Sequence, residues 1–439
     1  MKNKTALSAF AAALFTGAAA AGVSITSWSQ DPGTRKVTVT YSLTEAAIVT
    51  MDVCTNGNVS IGSDHIVSLA GDVNMEVAAG ESHTIQWMAD RDWPGHSLSA
   101  GEATIVLRAW TKSVPPDYLV VDLRMTNTAT CSTLRYYADA AAIPGGVTND
   151  IYKTKKLVMR RIPANGVTWL MGSPTTETGR SSGTVEPEHY VSFDTDYYMG
   201  IYPVTMGQYR QLCGYTPANA MSSEEFKTGT VTNADAHPAG GVSYAYNKND
   251  SSQAWLRGNA WPGSKTWSKS NFYSLGPLAR LYDISGIPFD LPTDAQWEYA
   301  CRAGEAAAFN SGKRCTTNRE AVACPNMDEV GWYLKNTATT QPVGLKLANS
   351  WGLYDMHGNV WEWCLDWYDA IAETATSDPV QNPSGAAAAS DSSNKRVRKG
   401  GGYSSGALYC RSASRGNAPA TGNYVNHGFR VCCPVPANW

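Results

Sequence analysis

The 439-residue sequence predicts an all-β sandwich followed by an irregular α+β domain. Two observations carry that expectation. Between residues 23 and 125, short runs of β-forming residues are separated by turn dipeptides. From Leu157 onward that rhythm stops, and long Gly-, Trp- and Tyr-containing stretches follow with few helical patterns.

The first 22 residues read as a signal peptide. Lys2 and Lys4 give a positive start, Ala6 to Phe15 an apolar stretch, and Gly17 to Ala21 the small residues that suit cleavage. No later stretch approaches the ~20 apolar residues of a membrane span. The expected location is therefore periplasmic or extracellular, without a membrane span, and no Cys near the cleavage point offers a lipid anchor.

Lys36-Val-Thr-Val-Thr-Tyr-Ser-Leu43 alternates strictly, and Ala47 to Val53 continues in β-formers. Ser82 to Trp87 and Ala103 to Trp110 are further strand candidates, with turns at Asp31-Pro-Gly33, Asn56-Gly57 and Trp93-Pro-Gly95. Short strands at this spacing make a β-sandwich over residues 23–125, a spacer or docking module without chemistry of its own. Residues 126–156 are rich in Thr, Ala and Gly and read as a connector. In the remaining domain, residues 157–439, the clear helix is Leu291 to Arg302. Pro292 precedes it, Thr293 or Asp294 caps it, and Trp297, Ala300 and Cys301 form its apolar face. Residues 371–394, rich in Ala, Ser and Asp, read as an exposed loop.

Net charge is −3 and only 17% of residues are charged, with no basic run, which argues against a nucleic-acid partner. Ten cysteines suit an oxidising compartment. Their pairing is not legible from spacing, although Cys315 and Cys324 could close a short loop. Zinc is poorly supported, because no C-x-x-C pair exists and the seven His are scattered.

Five segments then occur in order. They are Trp169-Leu-Met-Gly-Ser173; Tyr197 to Thr205 with Gln208-Tyr209; Leu291 to Ala300; Asn349 to Trp363; and Arg396-Val-Arg-Lys-Gly-Gly-Gly-Tyr403, closed by Gly428-Phe-Arg430. Together they resemble the formylglycine-generating-enzyme, or sulfatase-modifying-factor, family over roughly residues 157–434. The resemblance implies an irregular α+β fold related to C-type lectins. It also implies a structural calcium site on the Asp355 and Glu362 side chains and the Gly358 and Val360 carbonyls. Oxygen donors around a Gly-containing turn suit a hard cation, and the same two carboxylates would equally cap and salt-bridge a buried turn.

Active members, by the same resemblance, oxidise a substrate cysteine to formylglycine with copper and O2. They hold the copper on two cysteines five residues apart. Here the second is Cys410, but the first falls on Ser405, and Gly402 replaces a serine of the substrate groove. A hydroxyl is neither soft nor redox-active, so that centre is degenerate. Cys432 or Cys433 could approach Cys410 in space, but the expectation is that Cys410 pairs in a structural disulfide or sits buried. The iron-dependent sulfoxide synthases of the family use an H-x-x-x-H pair that is absent here.

The segment after the Gly-Gly turn is mostly Tyr, Ser, Gly and Asn, the residue types that serve antibody paratopes. It is similar to the variable region of diversity-generating-retroelement proteins. Candidate ligand-binding residues are Tyr403, Ser404, Ser405, Leu408, Tyr409, Asn423, Tyr424 and Trp361. Loop filler is the plain alternative. Three readings of the whole protein follow: an exported, non-catalytic binder of a protein or peptide ligand, a formylglycine-generating oxidoreductase with an altered centre, or a structural surface protein.

Overall fold

A computed structural model of the chain describes residues 22–55, 59–99, 103–111, 113–124, 133–181, 185–215, 217, 233–245, 255–257, 276–371, 378–385 and 394–435. The signal-peptide reading and Cys131 lie outside these residues. The chain forms two compact units, one ending its main segment at Val147 and the other running Thr148–Val435.

The first unit is the expected sandwich. Val23–Gln30, Lys36–Leu43, Gly80–Met88 and Leu69–Gly71 make one antiparallel sheet. Ala47–Thr55 pairs antiparallel with Ala103–Trp110 in the other. The alternation explains the packing: Val37, Val39, Tyr41 and Leu43 face inward, each at most 3% exposed. They meet Val49, Val53, Ile105 and Ala109 of the opposite sheet in one apolar cluster. The expected connector is partly regular. Leu134–Tyr137 pairs with Tyr118–Asp122, and short helical turns form at Ala140–Ala142 and Ile151–Thr154. Elements of three or four residues are too short for periodicity to register.

The second unit is α+β, with many short strands and few helices. Lys156–Ile162, Tyr197–Gly200 and Cys432–Pro434 pair antiparallel. A second sheet has the order Gly416–Pro419, Lys395–Lys399, Trp361–Trp367, His427–Gly428. The Asp294–Arg302 helix forms where expected and buries Trp297, Ala300 and Cys301. Its cap is Thr293: the Thr293 hydroxyl accepts from Gln296 N–H at 3.1 Å, and the Gln296 side chain accepts from Thr293 N–H at 2.9 Å. Asp294 instead turns inward to Arg415, 2.6 Å away. The helix Met206–Cys213 starts on an equivalent box from Thr205 and Gln208 and stops at Gly214, φ 77°.

So irregular a domain needs polar struts. Buried Glu298 takes Arg302 at 2.9 Å and Lys399 at 3.0 Å, while buried Arg411 takes Glu186 at 2.7 Å and Glu177 at 2.6 Å. Apart from the i,i+4 pair Glu298–Arg302, these struts join segments distant in sequence, and all satisfy charges that could not otherwise be buried. Of the expected 371–394 loop, residues 372–377 and 386–393 lie outside the described part. Val380–Gln381 within it pairs parallel with Val191–Ser192.

Candidate ligand groove and the degenerate cysteine pair

The Lys395–Lys399 strand delivers the chain into Gly400 and Gly401, at φ 87° and 73°, a left-handed turn that favours glycine. Gly402 N–H donates to Ser405 Oγ at 3.1 Å, and Ser405 N–H donates to the Gly402 carbonyl at 2.8 Å. The Ser405 hydroxyl therefore closes the turn by an ordinary side-chain-to-backbone bond. A single helical turn, Ala407–Cys410, follows and buries Cys410 completely. Burial pushes the Cys410 thiol well above its usual range, with the nearby Cys324 adding to the effect. His357 Nδ1 donates to the Cys410 carbonyl at 2.7 Å and holds the turn from behind. One hydrogen-bonded hydroxyl and one protonated thiol do not fit a two-thiolate copper site.

Cys410 is buried, one of its two expected states, and the thiols grouped with it are not Cys432 or Cys433. Those two sit on the strand paired with Tyr198 and Met199, whereas Cys315 and Cys324 share the buried cluster of Cys410. Cys324 Sγ accepts from Thr316 N–H at 3.5 Å and Thr316 Oγ1 at 3.3 Å. The hydrogen bond from Cys315 pushes the Cys324 thiol down to about 5, against the opposing effect of burial. The sequence signal that Cys315 and Cys324 neighbour one another was their short spacing; nothing in it pointed to Cys410.

Part of the candidate ligand set is brought together. Tyr403 N–H donates to the Asn359 carbonyl at 2.8 Å, Trp361 N–H to the Asn426 carbonyl at 2.8 Å, and Asn426 Nδ2 to Ser404 Oγ at 3.0 Å. These bonds tie the Tyr403–Ser405 turn to the Asn423–Asn426 segment. Ser404, Tyr409 and Tyr424 are exposed, Tyr403, Leu408 and Asn423 half-buried, and Ser405 and Trp361 buried. Trp361 is thus floor rather than rim. A Cβ at Gly402 would meet Trp361 Cδ1 at 3.4 Å, an ordinary contact, so the missing serine is not a steric necessity.

Asp355, Gly358 and Asn359 all have positive φ, 54°, 81° and 64°, which folds their loop tightly. Glu362 accepts from Arg430 Nη2 at 2.9 Å and Nε at 3.0 Å, and from Trp297 Nε1 at 2.6 Å. Among the described residues Asp355 accepts only from neutral donors, Gly344 N–H at 2.7 Å and Asn359 Nδ2 at 3.2 Å, and burial pushes its carboxyl above the usual range. Arg430 is thus the one cation bonded to this pair of buried carboxyl groups among the described residues.

A separate cleft of about 410 Å³ is lined by Asp294, Asp366, Asp369, Trp367, His189 and Tyr190 among others. Burial, and then the charge of Asp294, push the Asp366 carboxyl up to about 7. Asp294 is held below its usual value because Lys399 and Arg415 outweigh the effect of burial. Folded Asp366 thus keeps its proton to a higher pH than the unfolded chain does. Stability should fall as pH rises from about 4 toward 7 and level off above, by at most about 1.4 kcal/mol per pH unit. Asp366→Asn, which retains an acceptor for the Asp294 N–H, is expected to flatten that slope. Urea unfolding at pH 5 and pH 8 reads it, and an unaltered slope would assign the dependence to other groups.

A sulfatase-modifying factor enzyme 1-like domain matches residues 153–434. Formylglycine-generating enzymes from Mus musculus and Streptomyces coelicolor are 34% and 36% identical, each over 32% of this chain. The chain spans less than half of those relatives, 38% and 45% of their lengths. The chaperone protein LppX of Paenibacillus barcinonensis is 27% identical over 54% of this chain and 80% of its own. Among solved structures, Treponema denticola variable protein 1 is 24% identical, covering 64% of this chain and 96% of its own with a TM-score of 0.44. The matched domain takes in all five motif segments, the Gly400–Gly401 turn and the Gly428-Phe-Arg430 close. By that match, which spans more than half of its length, the chain belongs to the sulfatase-modifying factor enzyme 1-like family.

Proposed function

We propose that this protein is an exported, non-catalytic binder that uses the sulfatase-modifying-factor scaffold to hold a protein or peptide ligand in the groove around Tyr403, Tyr409 and Tyr424. The observation that carries the reading is the state of the inherited cysteine pair. Ser405 is committed to the Gly402 turn, and Cys410 is a buried, protonated thiol. Exposed Tyr409 and Tyr424, 37% and 39% accessible, supply rigid contact area beside adaptable Ser and Asn. The match to a relative named as a chaperone supports a role for this scaffold apart from oxidation.

The test is an oxidation assay on the secreted protein with copper, O2 and a peptide carrying Cys-x-Pro-x-Arg. Mass spectrometry should find the peptide cysteine intact. Formylglycine in the product would overturn the reading and favour an oxidoreductase with an altered centre. The specific support for that second reading is the grouping of Cys315 and Cys324 with Cys410.

Calcium belongs to the same proposal. The pair of buried carboxyl groups at Asp355 and Glu362 supports a cation held there and by the Gly358 and Val360 carbonyls. Calcium would neutralise the buried carboxylates and pin the loop, a structural role. Chelation is expected to lower the Tm by several degrees, since a ligand at 100 times its Kd is worth about 2.7 kcal/mol. An identical melt with and without chelator, repeated with added calcium, would remove the assignment.

A further inference from the structure

Four guanidinium groups packed around the Asp294–Arg302 helix and the adjoining sheet each have a carboxylate. Arg302 pairs with Glu298, Arg411 with Glu186, Arg415 with Asp294 and Arg430 with Glu362. Arg398 does not. Its guanidinium lies over the Trp361 ring, 4.3 Å from the centroid, in the sheet that floors the groove. Its Nη1 donates to His427 Nε2, and His427 Nδ1 faces Asn426 Oδ1 at 2.9 Å. That pair of contacts makes His427 a neutral acceptor, because Nε2 must keep its lone pair to receive from Arg398. Burial, then the Arg398 charge itself, hold the His427 ring well below its usual titration range.

Two further groups beside Arg398 and His427 are neutral as well. Tyr424 stacks on His427 with ring centroids 4.6 Å apart, and Gly416 is its register partner on the adjoining strand. A Cβ at position 416 would crowd both Arg398 Nε and the Trp361 ring, so glycine there lets the stack form. Arg398 Nε is buried without a hydrogen-bond partner, and no acid neutralises the group among the described residues. A charge fixed on a ring and met only by neutral groups is expensive to keep unless something anionic arrives.

We propose that Arg398, stacked on Trp361 and oriented by His427, is the anchor for a carboxylate of the ligand, so that the groove selects acidic peptides. This rests on the binding reading of the groove. Arg suits the role because its planar fork and its stacking are both used, which lysine would not reproduce. Tyr424 packs on His427, and Ser404 bonds Asn426 beside it, so adjacent ligand residues would lie along these exposed side chains. The pull of burial on the Arg398 guanidinium, down to about 10, fits a charge that lacks a partner in the free protein.

The experiment has two arms on the full secreted chain. In the first, thermal melts are recorded with sodium acetate, sodium phosphate and sodium chloride at equal ionic strength. Acetate should raise the Tm of the wild type and leave Arg398→Gln unmoved, and Arg398→Lys should recover only part of the shift. No acetate-specific shift, or a larger one from phosphate, would overturn a carboxylate site. In the second, peptides are selected from a random library on wild type. Enrichment of Asp and Glu, with at least a tenfold affinity loss for those peptides on Arg398→Gln, is the expected result. Peptides that bind without acidic enrichment and ignore Arg398→Gln would refute the anchor while leaving the binding function intact. No binding peptide at all would refute the binding function itself, and the acetate arm would then be read alone.

Discussion

Arg430→Met is expected to destabilise the second unit by about 3–5 kcal/mol, the cost of stranding a buried carboxylate. Arg430 and Glu362 are 0% and 1% exposed, and they meet in a two-point contact. The same guanidinium donates to the Gly200 carbonyl at 2.7 Å and the Tyr354 carbonyl at 2.8 Å, so three separate segments lose an acceptor's partner at once. No other cation pairs with Glu362 among the described residues. Lys399→Met makes the contrast. Glu298 would keep Arg302 and Asp294 would keep Arg415, so its loss should stay below about 2 kcal/mol. Urea unfolding of both variants decides between a strut with one support and a strut with two. Both measurements are made with chelator present, so that the proposed calcium is removed; a loss under about 1 kcal/mol for Arg430→Met would then mean that water reaches Glu362. The Gly428-Phe-Arg430 close of the family would then need a role other than holding this carboxylate.

That contrast also marks where the sequence could be read and where it could not. Val37, Val39, Tyr41 and Leu43 announced their own strand because alternation is local, and both sheets of the sandwich follow from such runs. Thr293 and Trp297 announced a helix for the same reason. The five motif segments were legible as a set, and they do meet: Trp297 of one bonds Glu362 of another, which binds Arg430 of the last. What stayed hidden is pairing across distance. Arg411 and Glu186 are 225 residues apart, and Lys399 and Glu298 are 101 apart. No spacing rule encodes such contacts in a chain with so little regular structure. For the same reason spacing could not say which thiols neighbour Cys410, and the fold groups Cys315 and Cys324 with it. Arg398 was visible only as part of a family segment, since its lack of an acid partner is a property of the fold.

The turn that carries Ser405 is expected to be nearly as sensitive. Gly401→Ala should cost about 2–5 kcal/mol, combining left-handed strain of about 1–2 kcal/mol with an overpacking term of about 1–3 kcal/mol. The strain follows from φ 73°, and the overpacking from a new Cβ that would overlap Cys410 Sγ and approach the Tyr409 carbonyl at 3.1 Å. The two terms separate in a double-mutant cycle. Cys410→Ala removes the sulfur, so in that background Gly401→Ala should cost at least about 1 kcal/mol less than in wild type. Strictly additive losses would show that the sulfur is not the obstacle and that the turn yields elsewhere. The expected coupling has a functional meaning. If Gly401 and Cys410 interlock, Cys410 persists in this chain as a packing element that sets the position of Ser405 and Tyr409, and its thiol chemistry is dispensable. Cys410→Ser, similar in size but unable to act as a soft ligand, should then leave ligand affinity within about threefold while Gly401→Ala reduces it, because only the latter moves the groove wall.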